Sequence, residues 1–320
     1  MLSRIGESLY WMTRHLERAD DTARMLDINL LHMLEADEGT TEEGQWKPLL
    51  NILDAEEAYL ACHRDGEISV QRVIQFLTQE KSNPGSLFNS LRMARENARV
   101  VRDRISREMW EAINDFWLQT AKHLQATLQP WRAAEFYAYV HRETAMFFGL
   151  SQSTMMRGEP YGFTVLGSLQ ERADMTARIL DVRYHLLLPD VSLVGSPLDY
   201  YQWGALLKSL SGFEAYRRLY HDGIRPIDVV AFTVFNPDFP RSLTYCVDGM
   251  ERALERIGNV EDGAVGEALQ ALRLHLREVT PREILDTGLH EYLEHFLILL
   301  ARLSEALQGD YFEAHLGDLG

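Results

Sequence analysis

Residues 17–27, ERADDTARMLD, return at 171–181 as ERADMTARILD. Nine of the eleven positions are identical, at an offset of 154 in a chain of 320 residues. Either the chain has two similar halves, or two of its helices meet the same demand. The first copy lies in a proline-free stretch, 2–36, where Ile5, Leu9, Met12 and Leu16 recur at steps of four and three. The series continues through Ala19, Ala23, Leu26, Leu30 and Met33. That spacing is the apolar seam of a bundle helix. Ser3 is the expected N-cap and Gly39 the expected stop. The seam carries over to Phe163, Leu166, Ala173, Ala177, Leu180, Tyr184 and Leu187, with one polar member, Gln170. The alanines at its centre allow another helix to approach closely.

The repeated charges lie beside the seam. Glu17, Asp20, Arg24 and Asp27 form one stripe at steps of three, four and three, and Glu171, Asp174, Arg178 and Asp181 form its counterpart. Arg18 and Arg172 fall on a different flank, because neighbouring residues diverge by about 100° on a helix. Three readings stay open: buried ion pairs between helices, a polar functional cleft, or a solvated ladder within each helix, such as Asp20 with Arg24. A third, partial copy holds Glu251-Arg252-Ala253, nine residues after Ser242, as Glu17-Arg18-Ala19 follows Ser8. It has Gly258 where the others have Arg24 and Arg178.

Between the prolines the pattern predicts further helices near 41–63, 68–79, 86–104, 106–126, 131–156 and 162–187. Others are expected near 198–210, 212–220, 226–235, 241–257, 262–277 and 281–308. The Asn83-Pro84-Gly85-Ser86 turn caps the helix that starts at 86. The best strand candidate, Val229–Val234, is short and continuous, so the expected fold is an all-α multi-helix bundle. It reads as one domain over 1–320, divisible into pseudo-repeats near 1–156 and 157–310. The acidic tail 311–320 is expected to fray.

A net charge of −16 argues against nucleic acid and against an anionic membrane surface. Nothing in the sequence reads as a signal peptide or a membrane span, and a reducing cytoplasm is the expected compartment. Cys62 and Cys246, the only cysteines, give no disulfide framework or zinc cluster and are expected to be buried and inert. Met155, Met156 and the tryptophans at 11, 110, 117 and 203 are expected in the core. There is no P-loop, no Gly-rich dinucleotide motif and no Glu-x-x-His pair, so no cofactor is expected. The nearest metal-like string, His290 to His295, matches neither HExxH nor HxxEH, and a solvated or partner-facing helix turn is the expectation there. Arg95, Arg99 and Arg102 share a helix face, with Glu96 and Asn97 beside them. They are expected to pair with the Glu17 or Glu171 stripe, or to form a carboxylate or phosphate pocket.

These residues fall in longer motifs: LSRIGESLYWMTRHLERADDTAR at 2–24, ARENARVVRDRIS at 94–106 with EMW at 108–110 and Asn114, STMMRGEPYGF at 153–163, GSLQERAD at 167–174 and NPDFPRSLTY at 236–245. In this order they resemble the bacterial alpha-E family of helical proteins with a Glu-Arg motif, over essentially the whole chain. Asp20, where that family commonly has Glu, and Tyr161, near a position that is often Trp, depart mildly from the pattern. The resemblance implies gene neighbours more than an activity: a circularly permuted ATP-grasp-like ligase, with transglutaminase-like and proteasome-like peptidase proteins. The expectation is a helical accessory or scaffold protein for a peptide or amide-forming ligase. The alternatives are an acyl transferase or hydrolase that uses the carboxylate–arginine cluster, and a structural bundle that oligomerises through its charged stripes. The candidate cluster comprises Glu17, Arg18, Asp20, Arg24, Arg95, Glu96, Asn97, Arg99, Arg102, Glu171, Arg172, Asp174, Arg178, Arg241, Glu251 and Arg252.

Overall fold

The computed structural model describes residues 3–35, 41–187, 197–258 and 263–313. Among these the chain forms fifteen α-helices and no strand. The first half runs α1 (Ser3–Glu35), α2 (Glu42–Ile52), α3 (Glu56–Cys62), α4 (Val70–Thr78), α5 (Leu87–Val100), α6 (Arg107–His123) and α7 (Pro130–Thr154). The second runs α8 (Glu159–Leu187), α9 (Pro197–Ser209), α10 (Phe213–Leu219), α11 (Pro226–Val230), α12 (Leu243–Ile257), α13 (Ala264–Arg277), α14 (Pro281–Thr287) and α15 (Leu289–Leu307). The apolar run 229–234 is helical: α11 continues into a π-helical turn, Ala231–Phe235.

Local chemistry sets the boundaries. Ser86, Ser106 and Ser242 each accept a bond from a first-turn amide, and Thr280 with Glu283 forms a capping box. Proline opens α7, α11 and α14, where a missing N–H costs nothing. Two predicted helices are broken in two. The 41–63 segment ends at Asp54, whose φ of 51° is left-handed while Ala55 N–H reaches back to Leu50 C=O. The 281–308 segment breaks at Gly288, with φ 126°, a conformation that suits glycine. Ser3 is itself the first helical residue of α1, and Gly39 lies outside the described residues.

The long helices α1 and α8 lie side by side at the centre. Gly6 meets Phe163, Tyr10 meets Gln170 and Glu17 meets Arg172, an ascending order, so the two run parallel. Parallel neighbours need a long crossover, and α2 to α7 supply it. Each central helix has its own escort. Helices α5 and α7 pack on α1, and α12 and α15 pack on α8, with α6 and α13 bracing the outer layer. The escorts come in the same order in both halves, beginning at Leu87, Arg107 and Pro130, then at Leu243, Ala264 and Leu289.

The seam read from sequence is the core: Leu9, Met12, Leu16, Ala19, Ala23, Leu166, Ala173, Ala177 and Leu180 are fully buried. Its polar member, Gln170, is satisfied. Tyr10 Oη donates to its Oε1 at 2.7 Å, and its Nε2 donates to Ser304 Oγ at 2.5 Å. The C-terminal segment holds on further than expected. Phe312 packs on Tyr10 and Phe163, and Tyr311 donates to Gly258 C=O. Two core expectations fail, because Met156 lies at the exposed end of the α7–α8 turn and Cys62 at the exposed end of α3. No helix among the described residues is long and apolar enough to cross a membrane.

Candidate functional site

The repeated dipeptides face each other across α1 and α8. Glu17 takes the Arg172 guanidinium bidentately, Nε at 2.7 Å and Nη2 at 3.0 Å. Glu171 takes Arg18 in the same way, at 2.5 and 3.0 Å. Each copy therefore gives its Glu to the other's Arg, the exchange that a two-fold axis makes between identical subunits. Here it is closed within one chain. Both glutamates are buried, at 1% and 0% exposure, so the solvated ladder does not describe them.

The remaining partners break the symmetry. Arg14 adds a bond to Glu171 at 2.8 Å. On the other side Arg241 reaches Glu17 at 3.2 Å, Asp20 at 3.3 Å and Asp21 at 2.6 Å. Arg241 is aimed by its loop: Asn236 accepts from the Asp238 and Phe239 amides, and Phe239 stacks on Phe232. Ser242 then starts α12. Asp20 also holds Arg24 and His141 at 2.5 Å each. Four acids, Glu17, Asp20, Asp21 and Glu171, thus meet five arginines, 14, 18, 24, 172 and 241. In the rest of the second stripe, Asp174 pairs with Arg178 at 2.8 Å and Asp181 meets His290.

Such burial is costly unless every charge is answered. Burial by itself would raise the Glu171 carboxyl, but Arg18 and Arg14 outweigh it and bring it to about 2. Asp20 is likewise held below the usual carboxylate range by Arg24, His141 and Arg241 against the effect of burial. Asp21 goes the other way. Burial pushes it up, Glu17 and Asp20 add to the rise, and Arg241 and Arg24 only partly offset it. Its Oδ2 has no hydrogen-bond partner. An acid with a raised folded value binds its proton more tightly in the fold, so it subtracts stability as pH rises above the ordinary carboxylate range. Asp21→Asn is therefore expected to gain on the parent as pH rises from about 4 to about 7, read as the difference in urea midpoints. A pH-independent difference would place Asp21 as a permanently ionised partner of Arg241.

Other candidates lie elsewhere. Arg95, Arg99 and Arg102 do not reach the Glu17 or Glu171 stripe. Arg95 bonds Glu96 at 2.8 Å and Asn114 at 3.0 Å, Arg99 pairs with Glu96, and Arg102 lies over the Trp110 ring. Helix α5 does pack on α1, but its buried residues are ones such as Leu91, Ala94 and Ala98, and Arg99 and Arg102 are exposed. The Asn97 side-chain amide donates to the Met93 carbonyl, one turn back on its own helix. In the third copy Glu251 pairs with Arg273 of α13, and the helix ends at Gly258, so the Arg24 counterpart has no helix to sit on. Cys246 is buried, which pushes its thiol up to about 12, unsuited to nucleophilic work. No group of three or more His, Cys, Asp or Glu among the described residues is placed to hold a metal ion.

Beside the exchange, a cleft of about 200 Å³ opens between α7, α8 and α12. Arg172, Arg252 and Arg256 line it, and no acid does. Hydroxyls come from Ser151, Thr164, Ser168, Tyr161 and Tyr245, and Phe148, Val165 and Leu169 add an apolar wall. Several of these residues belong to the segments that carry the family resemblance. The Alpha-E family model, described as a predicted alpha-helical domain with a conserved ER motif, matches residues 1–312.

The chain belongs to the Alpha-E family. No curated protein and no solved structure matches it. The Alpha-E match ends at residue 312, where Phe312 closes the fold against Tyr10. The ER motif of this Alpha-E chain is thus a reciprocal buried pair, joined by residues the repeat did not mark. Of these, Asp21 had a trace in the sequence, since it is one of the two positions at which the copies differ, with Met175 in the second. Arg14 and His141 had none.

Proposed function

We propose that this chain is a helical accessory or scaffold protein acting beside an ATP-grasp-type ligase in a pathway that forms peptide or amide bonds. Its two halves read as an internal duplication. The observation that carries the accessory reading is the commitment of Glu17, Glu171, Arg18 and Arg172 to one another. A catalytic use of that cluster needs a carboxylate open to substrate. The cleft beside it offers arginines and hydroxyls but no acid, and Asp21, whose Oδ2 lacks a partner, does not line it. Such a cleft suits recognition better than acid–base chemistry. The partners come from the family resemblance: a circularly permuted ATP-grasp-like ligase and a transglutaminase-like protein.

The test is co-expression with a circularly permuted ATP-grasp-like ligase from the same genome. The expected result is co-elution of the two chains and a loss of ligase product when this chain is omitted. Separate elution with unchanged product would overturn the partnership.

A further inference from the structure

We infer that the cleft between α7, α8 and α12 is a binding site for a small carboxylate with an apolar substituent, of the size of an N-acylated amino acid or the last residue of a peptide. The inference rests on the reading of this cleft as the protein's recognition face and names what it recognises. It begins with an imbalance of charge. In a chain of net charge −16, three arginines converge on a cleft that no acid lines. Arg172 is already bound to Glu17. Arg252 and Arg256 have no ion-pair partner among the described residues, and Arg256 bonds only the Arg252 carbonyl. They stand one turn apart on α12, where like charges repel. An anion set between two planar guanidinium forks relieves that repulsion and finds the geometry that arginine offers a carboxylate.

The rest of the wall selects what the anion carries. Tyr161 and Tyr245 add phenol donors, and Phe148, Val165 and Leu169 give an apolar surface with no use for a bare inorganic ion. At about 200 Å³ the cleft is smaller than most drug-sized sites. It suits a single residue rather than an extended chain.

The repeat explains why the cleft exists on one side only. In its register Ser168 answers to Arg14, and Thr164 to Tyr10. On α1 the large pair fills its space, with Arg14 between Glu171 and the Tyr10 hydroxyl. On α8 the small pair leaves the volume open. The duplicated position has thus been filled in one copy and kept vacant in the other.

The experiment is isothermal titration of the purified chain alone with N-acetyl alanine, leucine and phenylalanine, their C-terminal amides, and inorganic phosphate. The acids are expected to bind, more tightly with the larger side chains, and the amides roughly tenfold or more weaker. Phosphate should bind more weakly than N-acetylphenylalanine. Arg252→Ala with Arg256→Ala should abolish binding without shifting the melting temperature, since both side chains are exposed. The double Lys variant should restore only part of it. No binding by any acid, equal binding of acid and amide, phosphate matching the acids, or binding that survives the Ala pair would each overturn the assignment. The ligase is absent from this titration, so its outcome and that of the co-elution test fail independently.

Discussion

Replacing Glu171 by alanine is expected to destabilise the fold by about 3–5 kcal/mol at neutral pH, the range for breaking a buried charge set by removing one side. Glu171 is wholly buried and is the one carboxylate bonded to Arg18 and Arg14 among the described residues. Its loss leaves two guanidiniums against the α1–α8 contact with no acid to meet them. Arg18→Ala should cost clearly less. Arg18 is 29% exposed, and Arg14 still answers Glu171 when it is gone. The pH dependence follows from the depressed carboxyl of Glu171. A group lowered on folding adds stability above its ordinary range and loses it as pH falls toward the folded value. The deficit of Glu171→Ala should therefore narrow as pH is lowered from about 5 toward 2. Urea unfolding across that range measures it. A midpoint equal to the parent's at neutral pH would return the Glu-Arg motif to the surface-ladder reading.

The same exchange marks what the sequence could and could not tell. Periodicity gave the seam, because an apolar stripe at steps of three and four has one way to be buried, and Leu9 through Leu180 are buried accordingly. The repeat gave the dipeptide, because a Glu-Arg-Ala kept in two places needs two similar surroundings. It could not give the pairing. Glu17 with Arg172 depends on the stagger of helices 154 residues apart in sequence, and that stagger is set by contacts such as Gly6 against Phe163. Arg95 illustrates the opposite error, in which a long-range partner was expected and Glu96 and Asn114 were nearer. The break at Asp54 was hidden because glycine usually marks a left-handed helix end, and here aspartate occupies it. The cleft was hidden for a different reason. A void is made by what Ser168 and Thr164 lack, and no spacing rule registers a missing side chain.

Gly167→Ala carries the other large effect. A Cβ at Gly167 would lie 2.2 Å from the Tyr10 carbonyl oxygen and 2.9 Å from its carbon, both backbone atoms of α1. Thr13 Oγ1, at 2.6 Å, could swing aside, but the Tyr10 carbonyl moves only if α1 slides or lifts from α8. One turn further along the same face lie Arg14 and Glu171, then Glu17 and Arg172, so any lifting also stretches the buried charge pairs. Overpacking alone costs typically 1–3 kcal/mol, about 1 kcal/mol of which alanine's better helix propensity recovers. The strained pairs should hold the net loss at or above the middle of that range. Gly149→Ala is the control. Gly149 sits in the interior of α7 with nothing within 4 Å of a built Cβ, and there alanine should stabilise by about 0.5–1 kcal/mol. Opposite signs for the two variants in thermal melts are the expected result. If both variants gain, α1 and α8 tolerate a wider separation than the Tyr10–Gly167 contact allows, and the register of the Glu-Arg exchange must be held elsewhere.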